Sequence, residues 1–255
     1  MRIALLLPSR ERLNLKFTLI NSILATTDNI HSISLYLGID DDDPTKEIAY
    51  KIAKAIPFVK IVPLPKVPNE EANIHKMWNT CARASNEDII TMIGDDMIFR
   101  TPGWDTEIIR QFEQGPKDHL ILVWCNDGHR GAACPVNAFV HRRYMDINGV
   151  FLREEFIANW VDTWLLSTFT ALEREIYLPN YTIEHNHWIF NQRQIDETGI
   201  RLLQRNPEDK SKSDALWAPL EPVRVEEVKK LAKIIGIQPN WKRAGFNQKY
   251  WNITI

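Results

Sequence analysis

The first half of the chain alternates short apolar runs, rich in β-branched residues, with amphipathic stretches. Strands are predicted at residues 3–7, 33–39, 59–62, 89–93 and 121–124. Between the strands, apolar residues recur at spacings of three and four, as in Leu15, Leu19 and Ile23, which is typical of the buried face of a helix. This strand–helix alternation predicts an α/β sheet with helices on both faces.

The second half of the chain is less regular. It predicts a strand at 138–141, a Trp-rich helix within 153–171 and an extended segment at 177–183. The polar stretch 206–213 is interpreted as a charged loop, and 225–235 as a short amphipathic helix. No internal repeat interrupts this order.

The composition is that of an ordinary soluble globular chain. Its 255 residues carry 31 basic and 33 acidic side chains, a net charge of -2, so its overall field does not draw it to nucleic acid. Three cysteines without a C-x-x-C pair indicate reduced thiols, and we expect a cytoplasmic protein with Cys81 in its core. The apolar run 3–7 is too short for a signal peptide, and no segment has the roughly 20 apolar residues that span a bilayer.

Polar side chains follow three of the predicted strands. The first strand is followed by 8–12 (Pro-Ser-Arg-Glu-Arg), the second by four aspartates at 40–43, and the fourth by Gly94-Asp95-Asp96. In open α/β sheets the loops beyond the carboxyl ends of the strands form the ligand crevice. We therefore expect these three clusters to meet at one edge of the sheet.

Two groups of residues have side chains suited to binding a metal ion, one after the fourth predicted strand and one near residue 186. The adjacent carboxylates of Asp95 and Asp96 repel each other, and a divalent cation shared with a diphosphate would relieve that repulsion. A solvated turn is the alternative interpretation. His185 and His187 face the same side if their segment is a strand, which suits metal ligation, although a packed histidine pair has the same pattern.

Several of these segments, in this order, resemble GT-A glycosyltransferases, most closely the family 2-like enzymes. The stretch 73–84, which begins Asn-Ile-His-Lys, and the strand that ends at Gly94-Asp95-Asp96 resemble the family's helix–strand–acid passage. Residues 6–12 resemble its opening strand and nucleotide-contacting loop. Residues 138–151 are similar to the strand, Arg and Gly-Phe turn that precede the catalytic acid. The resemblance covers roughly residues 1–190, and the 94–105 stretch resembles members found in phage and bacterial genomes.

The resemblance implies a fold and an activity. The fold would be the GT-A fold, a Rossmann-like mixed sheet with helices on both faces, over residues 1–200. Residues 201–255 would form a C-terminal extension that packs on or near the active site. The activity would be metal-dependent, inverting transfer of a hexosyl or pentosyl group from a nucleoside diphosphate-sugar, a UDP-sugar first among them, to an acceptor hydroxyl, with Mn²⁺ or Mg²⁺ as cofactor.

The resemblance also implies roles for individual residues. Asp162 would be the base that takes the proton from the acceptor hydroxyl, with Glu154 and Glu155 as the next candidates. An acid at this position that caps a helix or faces solvent is the alternative. Asp96 would bind the metal with His185 or His187. The nucleotide-sugar would contact seven residues: Pro8, Ser9, Arg10, Arg12, Asp40, Asn73 and Asp95.

One departure from the family pattern keeps other functions open. The family's metal motif is Asp-x-Asp, whereas this chain has Gly94-Asp95-Asp96-Met97. A non-catalytic nucleotide-sugar binding module and a sugar nucleotidyltransferase are the alternatives, although the latter usually has a Gly-rich loop that 8–12 lacks. A saccharide or a modified DNA base are both candidate acceptors, and the aromatic and basic tail 241–251 suits either nucleic-acid contact or packing. Retention instead of inversion also stays open.

Overall fold

The computed structural model describes residues 1–66, 72–157, 159–187 and 194–246. The first half alternates as expected: β1 (Ile3–Pro8), α1 (Leu13–Thr26), β2 (Ile33–Asp40), α2 (Lys46–Ala55), β3 (Val59–Leu64), α3 (Ile74–Ala84), β4 (Ile89–Met92), β5 (Met97–Phe99), α4 (Trp104–Gln114) and β6 (Leu122–Asn126). The second half contains β7 (Phe139–His141), α5 (Arg142–Asn148), α6 (Val161–Ala171), β8 (Glu175–His185), α7 (Glu197–Trp217) and α8 (Glu221–Ile235).

The strands form one mixed sheet in the order β3-β2-β1-β4-β7-β6-β8-β5 over the described residues. β1 lies between β2 and β4 and is parallel to both, with Ile3 opposite Ile33 and Ile89. β7 runs antiparallel to β4, and β5 runs antiparallel to β8. Because β1, β2 and β4 are parallel, their carboxyl ends lie at the same edge of the sheet, as the sequence predicted.

Both faces of the sheet are covered by helices, which confirms the expected class. Successive side chains of β1 alternate between two cores: Ala4 and Leu6 face a core shared with α3, α6 and α8, whereas Leu5 and Leu7 face one shared with α1, α2 and α4. Every residue of β1 is buried. A strand buried on both faces has a continuous apolar sequence, and this explains the run at 3–7.

The predicted loop at 206–213 is wrong, because these residues lie inside α7. Their charges form pairs on the helix surface: Lys210 lies 2.8 Å from Asp214 and Lys212 lies 2.7 Å from Glu208, both at a spacing of four residues. Ser213 faces inward and is fully buried. The Trp-rich helix begins at Val161, later than the start of the range in which it was expected.

The C-terminal part of the chain is attached to the core through buried polar groups. The Glu227 carboxylate on α8 accepts hydrogen bonds from Tyr144 Oη at 2.5 Å and from Trp164 Nε1 at 3.2 Å. In the tail, Trp241 packs edge-on against Phe246, and Arg243 pairs with Glu175. The rest of the predicted aromatic and basic tail, 247–255, lies outside the described residues. None of the described helices is both long and apolar enough to cross a membrane.

Candidate active site

Asp95 and Asp96 lie in the tight connection between β4 and β5, and both are nearly buried, with 8% and 7% exposure. Gly94 precedes them, and a Cβ at this position would lie 2.7 Å from Oδ1 of Asp96. A side chain there would therefore force the carboxylate to move. Although adjacent in sequence, the two aspartates have different partners.

Asp95 joins the loop after β1 to the loop after β4. Its Oδ2 accepts a hydrogen bond from Ser9 Oγ at 2.5 Å, and its Oδ1 accepts one from Arg12 Nη1 at 2.9 Å. Burial raises the pKa of Asp95, and the favourable contacts with Arg12 and Ser9 do not fully offset that rise. Two protein donors thus hold the Asp95 side chain in place.

Asp96 faces the end of β8. Met97 pairs with His185 across β5 and β8, and the Asn186 N–H donates to the Asp96 carbonyl at 2.8 Å, so the backbone places both elements side by side. His185 Nε2 lies 3.4 Å from Asp96 Oδ1. Burial opposes ionisation of Asp96, but the hydrogen bond from His185 and the charges of both histidines outweigh it, so the pKa of Asp96 is lowered.

Asp96, His185 and His187 form a group that could hold a metal ion. Each offers one ligand atom, and these atoms all lie within 4.8 Å of one another. A carboxylate oxygen with two imidazole nitrogens suits a transition-metal ion such as Mn²⁺ better than Mg²⁺, which prefers oxygen ligands. The structure thus brings together three residues that lie far apart in the sequence.

A cleft of about 560 Å³ opens beside the two histidines. Its lining comes from five parts of the fold: the floor of α3 and β4, the end of β8, the loop between β6 and β7, the start of α6, and one side of α7. The lining includes Gly94, His185 and His187, together with Arg130, Cys134, Trp160, Asp162, Asp209, Lys210 and Asp214.

Asp162 lies in the cleft wall, in the first turn of α6. Its Oδ1 accepts a hydrogen bond from the Thr163 N–H at 2.7 Å, and its Oδ2 accepts one from the Cys134 thiol at 2.9 Å. Burial, and then the negative charge of Asp162, raise the pKa of Cys134, so the thiol stays protonated and acts as a donor. Oδ1 also accepts a hydrogen bond from Thr163 Oγ1 at 3.3 Å, so Oδ2 is the oxygen that keeps a second lone pair for a ligand hydroxyl.

His75 forms part of the cleft floor and is held as a neutral ring. Burial lowers its pKa to about 4 despite the nearby Phe156 carbonyl and the charge of Asp162. Nδ1 lies 2.8 Å from the Phe156 carbonyl oxygen, which can only accept, so Nδ1 carries the hydrogen. At neutral pH this histidine adds no charge to the site.

The residues predicted to contact the nucleotide after β1 and β2 pair with one another. Arg10 Nη1 lies 3.2 Å from Asp40 Oδ2 and 2.5 Å from Asp42 Oδ1. Burial raises the pKa of Asp40 in spite of its bond to Arg10. These residues meet at the predicted sheet edge, but among the described residues the cleft lining includes neither Arg10 nor Asp40. The same holds for Pro8, Ser9 and Arg12.

Asn73 has a structural place in this fold. Its Oδ1 caps α3 by accepting from the His75 and Lys76 N–H groups, and its Nδ2 donates to the Glu154 and Phe156 carbonyls at 2.9 and 3.0 Å. These four bonds use the full hydrogen-bonding capacity of the amide. The structure therefore does not bring Asn73 to the cleft as a donor contact.

The fallback acids also lie outside the cleft lining. Glu154 Oε1 accepts from Asn79 Nδ2 at 2.8 Å, and Glu155 pairs with Arg153 at 2.6 Å. Several residues of the cleft walls are not among the predicted site residues, namely Arg130, Cys134, Asp209, Lys210 and Asp214. Arg130 and Cys134 follow β6 at the same edge of the sheet, so the rule of strand carboxyl ends could have found them.

Sequence comparisons detect no relatives, whereas solved structures share the fold. No family profile matches the chain, and no curated protein matches it. Crystalline TarS of S. aureus matches 100% of this chain with a TM-score of 0.60 at 12% identity. This chain spans 46% of the length of that TarS chain, less than half.

Two further structures were determined with ligands. TarS 1-349 in complex with UDP-GlcNAc matches 91% of this chain and 73% of its own, with a TM-score of 0.57 at 12% identity. The mannosyltransferase PcManGT from Pyrobaculum calidifontis, in complex with GDP-Man and Mn²⁺, has a TM-score of 0.56 at 10% identity over the same shares. At such low identity the likeness shows the fold alone, and that fold is the GT-A glycosyltransferase fold.

Proposed function

We propose that this chain is a metal-dependent glycosyltransferase that moves a sugar from a nucleoside diphosphate-sugar to an acceptor hydroxyl with inversion. The observation that carries the proposal is the placement of Asp162 in the same cleft as His185 and His187, whose ligand atoms lie within 4.8 Å of the Asp96 carboxylate. A transferase of this kind needs a cation for the leaving diphosphate and a base for the acceptor. The GT-A fold and the nucleotide-sugars bound by TarS and PcManGT support the donor class.

Asp96, His185 and His187 would hold the cation. Their ligand atoms lie within 4.8 Å of one another, and two imidazole nitrogens with one carboxylate oxygen suit a transition-metal ion. Mn²⁺ is the ion present with PcManGT and is the first that we would test. When bound, the cation supplies positive charge that stabilises the departing diphosphate. The adjacent Asp95 would act indirectly, because its two oxygens hold Ser9 and Arg12 and so fix the loop that carries Asp96.

Asp162 would accept the proton of the acceptor hydroxyl. Its carboxylate is held by Cys134 and Thr163, lines the cleft and is only partly buried, so a hydroxyl can reach it. The acceptor oxygen then bonds to the anomeric carbon as the bond to the diphosphate breaks. A single displacement of this kind would invert the configuration, because the acceptor oxygen would attack the face of that carbon opposite the leaving group.

The donor nucleotide would lie along the carboxyl ends of β1 and β2. Arg10, Asp40 and Asp42 form a charged cluster there, and Arg12 connects this side to Asp95. A UDP-sugar is the first donor we would test, followed by GDP- and dTDP-sugars. The division into a domain of residues 1–200 and an extension of 201–255 also stays a prediction, since α7 begins at Glu197.

Donor-dependent stabilisation and turnover test the proposal together. The full chain is titrated with UDP-GlcNAc, UDP-glucose and GDP-mannose, with and without Mn²⁺, while thermal unfolding and release of nucleoside diphosphate are measured. We expect one donor to raise the unfolding temperature only with Mn²⁺ and to be hydrolysed slowly. Asp96→Ala should abolish both effects, whereas Asp162→Asn should keep the stabilisation and lose the transfer.

The same assay separates the alternatives. A binding module would be stabilised without turnover. A nucleotidyltransferase would release no nucleoside diphosphate from these donors, but would release pyrophosphate when given a nucleoside triphosphate and a sugar 1-phosphate. Glu226→Gln, at an exposed acid on α8 that pairs with Lys229, is the matched control and should change nothing. Activity that survived both Asp96→Ala and Asp162→Ala would refute the proposal.

A further inference from the structure

One wall of the cleft is formed by α7. Asp209, Lys210 and Asp214 lie on this wall, and Trp160, at the start of α6, contacts it through Asp214. Because Trp160 lines the same cleft as Asp162 and precedes it by two residues, a substrate whose hydroxyl reaches Asp162 lies close to Trp160. The chemistry of this wall indicates which acceptors can bind.

The Trp160 ring is fixed in the wall by its neighbours. Its backbone is in the left-handed region, with φ 77° and ψ −10°, which is rare for a residue with a side chain as large as an indole. Nε1 donates to Asp214 Oδ1 at 2.6 Å, and the ring packs against Trp217 at a centroid distance of 4.9 Å. The result is a partly exposed aromatic surface two residues before Asp162.

The charges around this surface are predominantly negative. Asp162, Asp209 and Asp214 line the cleft, against Arg130 and Lys210 as the cations. Lys210 is itself paired with Asp214 at 2.8 Å. The carboxylates around Trp160 thus outnumber the cations, and this wall lacks the clustered, available cations on which binding of DNA depends.

The described part of the basic tail adds no positive charge to the cleft lining. Arg243 pairs with Glu175, and Trp241 packs against Phe246. Neither Trp241 nor Arg243 is among the residues that line the cleft. Carboxylates beside an aromatic ring instead suit a neutral molecule with many hydroxyls, which offers both hydrogen-bond donors and an apolar face.

We propose that the acceptor is an uncharged saccharide whose apolar face packs on Trp160 and whose hydroxyls bond to Asp214 and Lys210. This inference rests on the proposed glycosyl transfer. In the reaction, one hydroxyl oxygen of the saccharide bonds to the anomeric carbon of the nucleoside diphosphate-sugar. The bond from that carbon to the diphosphate breaks and its electron pair leaves with the nucleoside diphosphate, while the hydroxyl proton passes to Asp162.

Binding of neutral sugars, measured without any donor, tests the inference separately from catalysis. Methyl glycosides and disaccharides of glucose, galactose, mannose and N-acetylglucosamine are screened by saturation-transfer NMR against the full chain, beside a single-stranded DNA oligonucleotide. We expect at least one neutral sugar to bind in the cleft and the oligonucleotide not to bind. The sugars that bind are then added to the donor assay, where they should stimulate release of nucleoside diphosphate.

Trp160→Gly is the informative variant, because glycine adopts the left-handed backbone without strain while the ring is removed. It should weaken saccharide binding about tenfold, the scale of a lost aromatic contact, and keep the Mn²⁺-dependent stabilisation by donor. Trp160→Phe should restore part of the affinity. Trp241→Phe, at a tryptophan outside the cleft lining, is the control and should leave saccharide binding unchanged.

Two results would overturn the inference: binding of DNA without binding of any neutral sugar, or saccharide affinity unchanged by Trp160→Gly. Absence of binding by every ligand in the screen would overturn it as well. Failure of the proposed transfer would show differently, as loss of donor stabilisation and turnover in the wild-type chain while saccharides still bind in the NMR experiment.

Discussion

The Cys134 thiol donates a hydrogen bond to Oδ2 of Asp162 across 2.9 Å, linking the loop after β6 to the first turn of α6. Cys134 is almost buried, and burial together with Asp162 raises its pKa, so it is a stable donor rather than a reactive thiolate. The cysteine therefore orients the carboxylate that we propose as the base. Two predictions depend on this contact.

Replacing Cys134 should slow transfer more than it destabilises the fold. Cys134→Ala removes a hydrogen bond that holds the Asp162 carboxylate in one orientation, so kcat should fall. The rate at the optimum should fall about threefold to tenfold, in line with one lost hydrogen bond of roughly 1 kcal/mol. Cys134→Ser keeps a donor and should retain most of the wild-type kcat. Equal values of kcat for Ala and Ser would show that the contact does not orient the base.

Asp162→Asn should make Cys134 easier to alkylate. The substitution removes the negative charge that contributes to the raised pKa of the thiol, whereas burial, the larger cause, remains. We expect iodoacetamide labelling at Cys134 to accelerate a few-fold over wild type at pH 8, a modest change consistent with the smaller of the two causes. Mass spectrometry of the labelled peptide measures it, and Cys125, which is also buried, serves as the internal reference.

Asp95 and Asp96 should respond differently to the same change. Asp95→Asn weakens the contact with Arg12 and should lower the free energy of unfolding by about 2 kcal/mol, since it disturbs a buried ion pair. It should keep most of the added stability that Mn²⁺ provides. Asp96→Asn should lose the Mn²⁺ effect with little cost to the metal-free fold. Thermal unfolding with and without Mn²⁺ measures both, and the reverse pattern would exchange the two roles.

His75 should make stability fall as pH drops below neutrality. Burial lowers its pKa from 6.5 to about 4, so between these values the folded chain binds fewer protons at His75 than the unfolded chain. Acidification through this window favours the unfolded state, and at pH 5 the loss from this residue should be about 2 kcal/mol. Urea unfolding at pH 7 and pH 5 should therefore show a smaller difference for His75→Asn than for wild type. His31→Asn, at an exposed histidine, should behave as wild type does.

Glu227 should be needed to hold α8 against the core. Glu227→Ala leaves the hydroxyl of Tyr144 and the indole N–H of Trp164 buried without an acceptor, and should cost about 3 kcal/mol of unfolding free energy. Burial raises the pKa of Glu227, so a neutral amide that still accepts should be tolerated far better. Equilibrium unfolding in urea of Glu227→Gln and Glu227→Ala compares them. Equal losses for both would show that the charge, not the acceptor oxygen, matters.

Much of the first half of the fold could be predicted from sequence, because hydrophobic periodicity there follows local geometry. The run at 3–7 is apolar throughout since β1 is buried on both faces. The helix over 206–213 could not be predicted, because this stretch contains Pro207 and many charges, which are typical of a loop. Its helical state depends on ion pairs four residues apart and on burial of Ser213, and the latter depends on tertiary packing.

The parts of the site that lie at the carboxyl ends of strands could be predicted from the sequence. Asp96 and the two histidines are brought together by the pairing of β5 with β8, which joins segments far apart in the chain. Two adjacent aspartates in a sequence do not reveal that Asp96 faces the histidines whereas Asp95 faces Ser9 and Arg12. Asn73 illustrates the opposite case, because a residue type suited to ligand contact is used to cap α3.

Arg12 connects the proposed donor side of the site to the start of the helix on the proposed acceptor side. Its Nη1 lies 2.9 Å from Asp95, and its Nη2 lies 2.8 Å from Asp196, directly before α7. The helix α7 therefore cannot be replaced alone to change acceptor preference, because the residue before it is a partner of Arg12. A helix grafted from another enzyme would leave Arg12 with one partner unless an acid were retained at position 196. Libraries at the acceptor wall should therefore fix that position and vary the face that carries Asp209, Lys210 and Asp214.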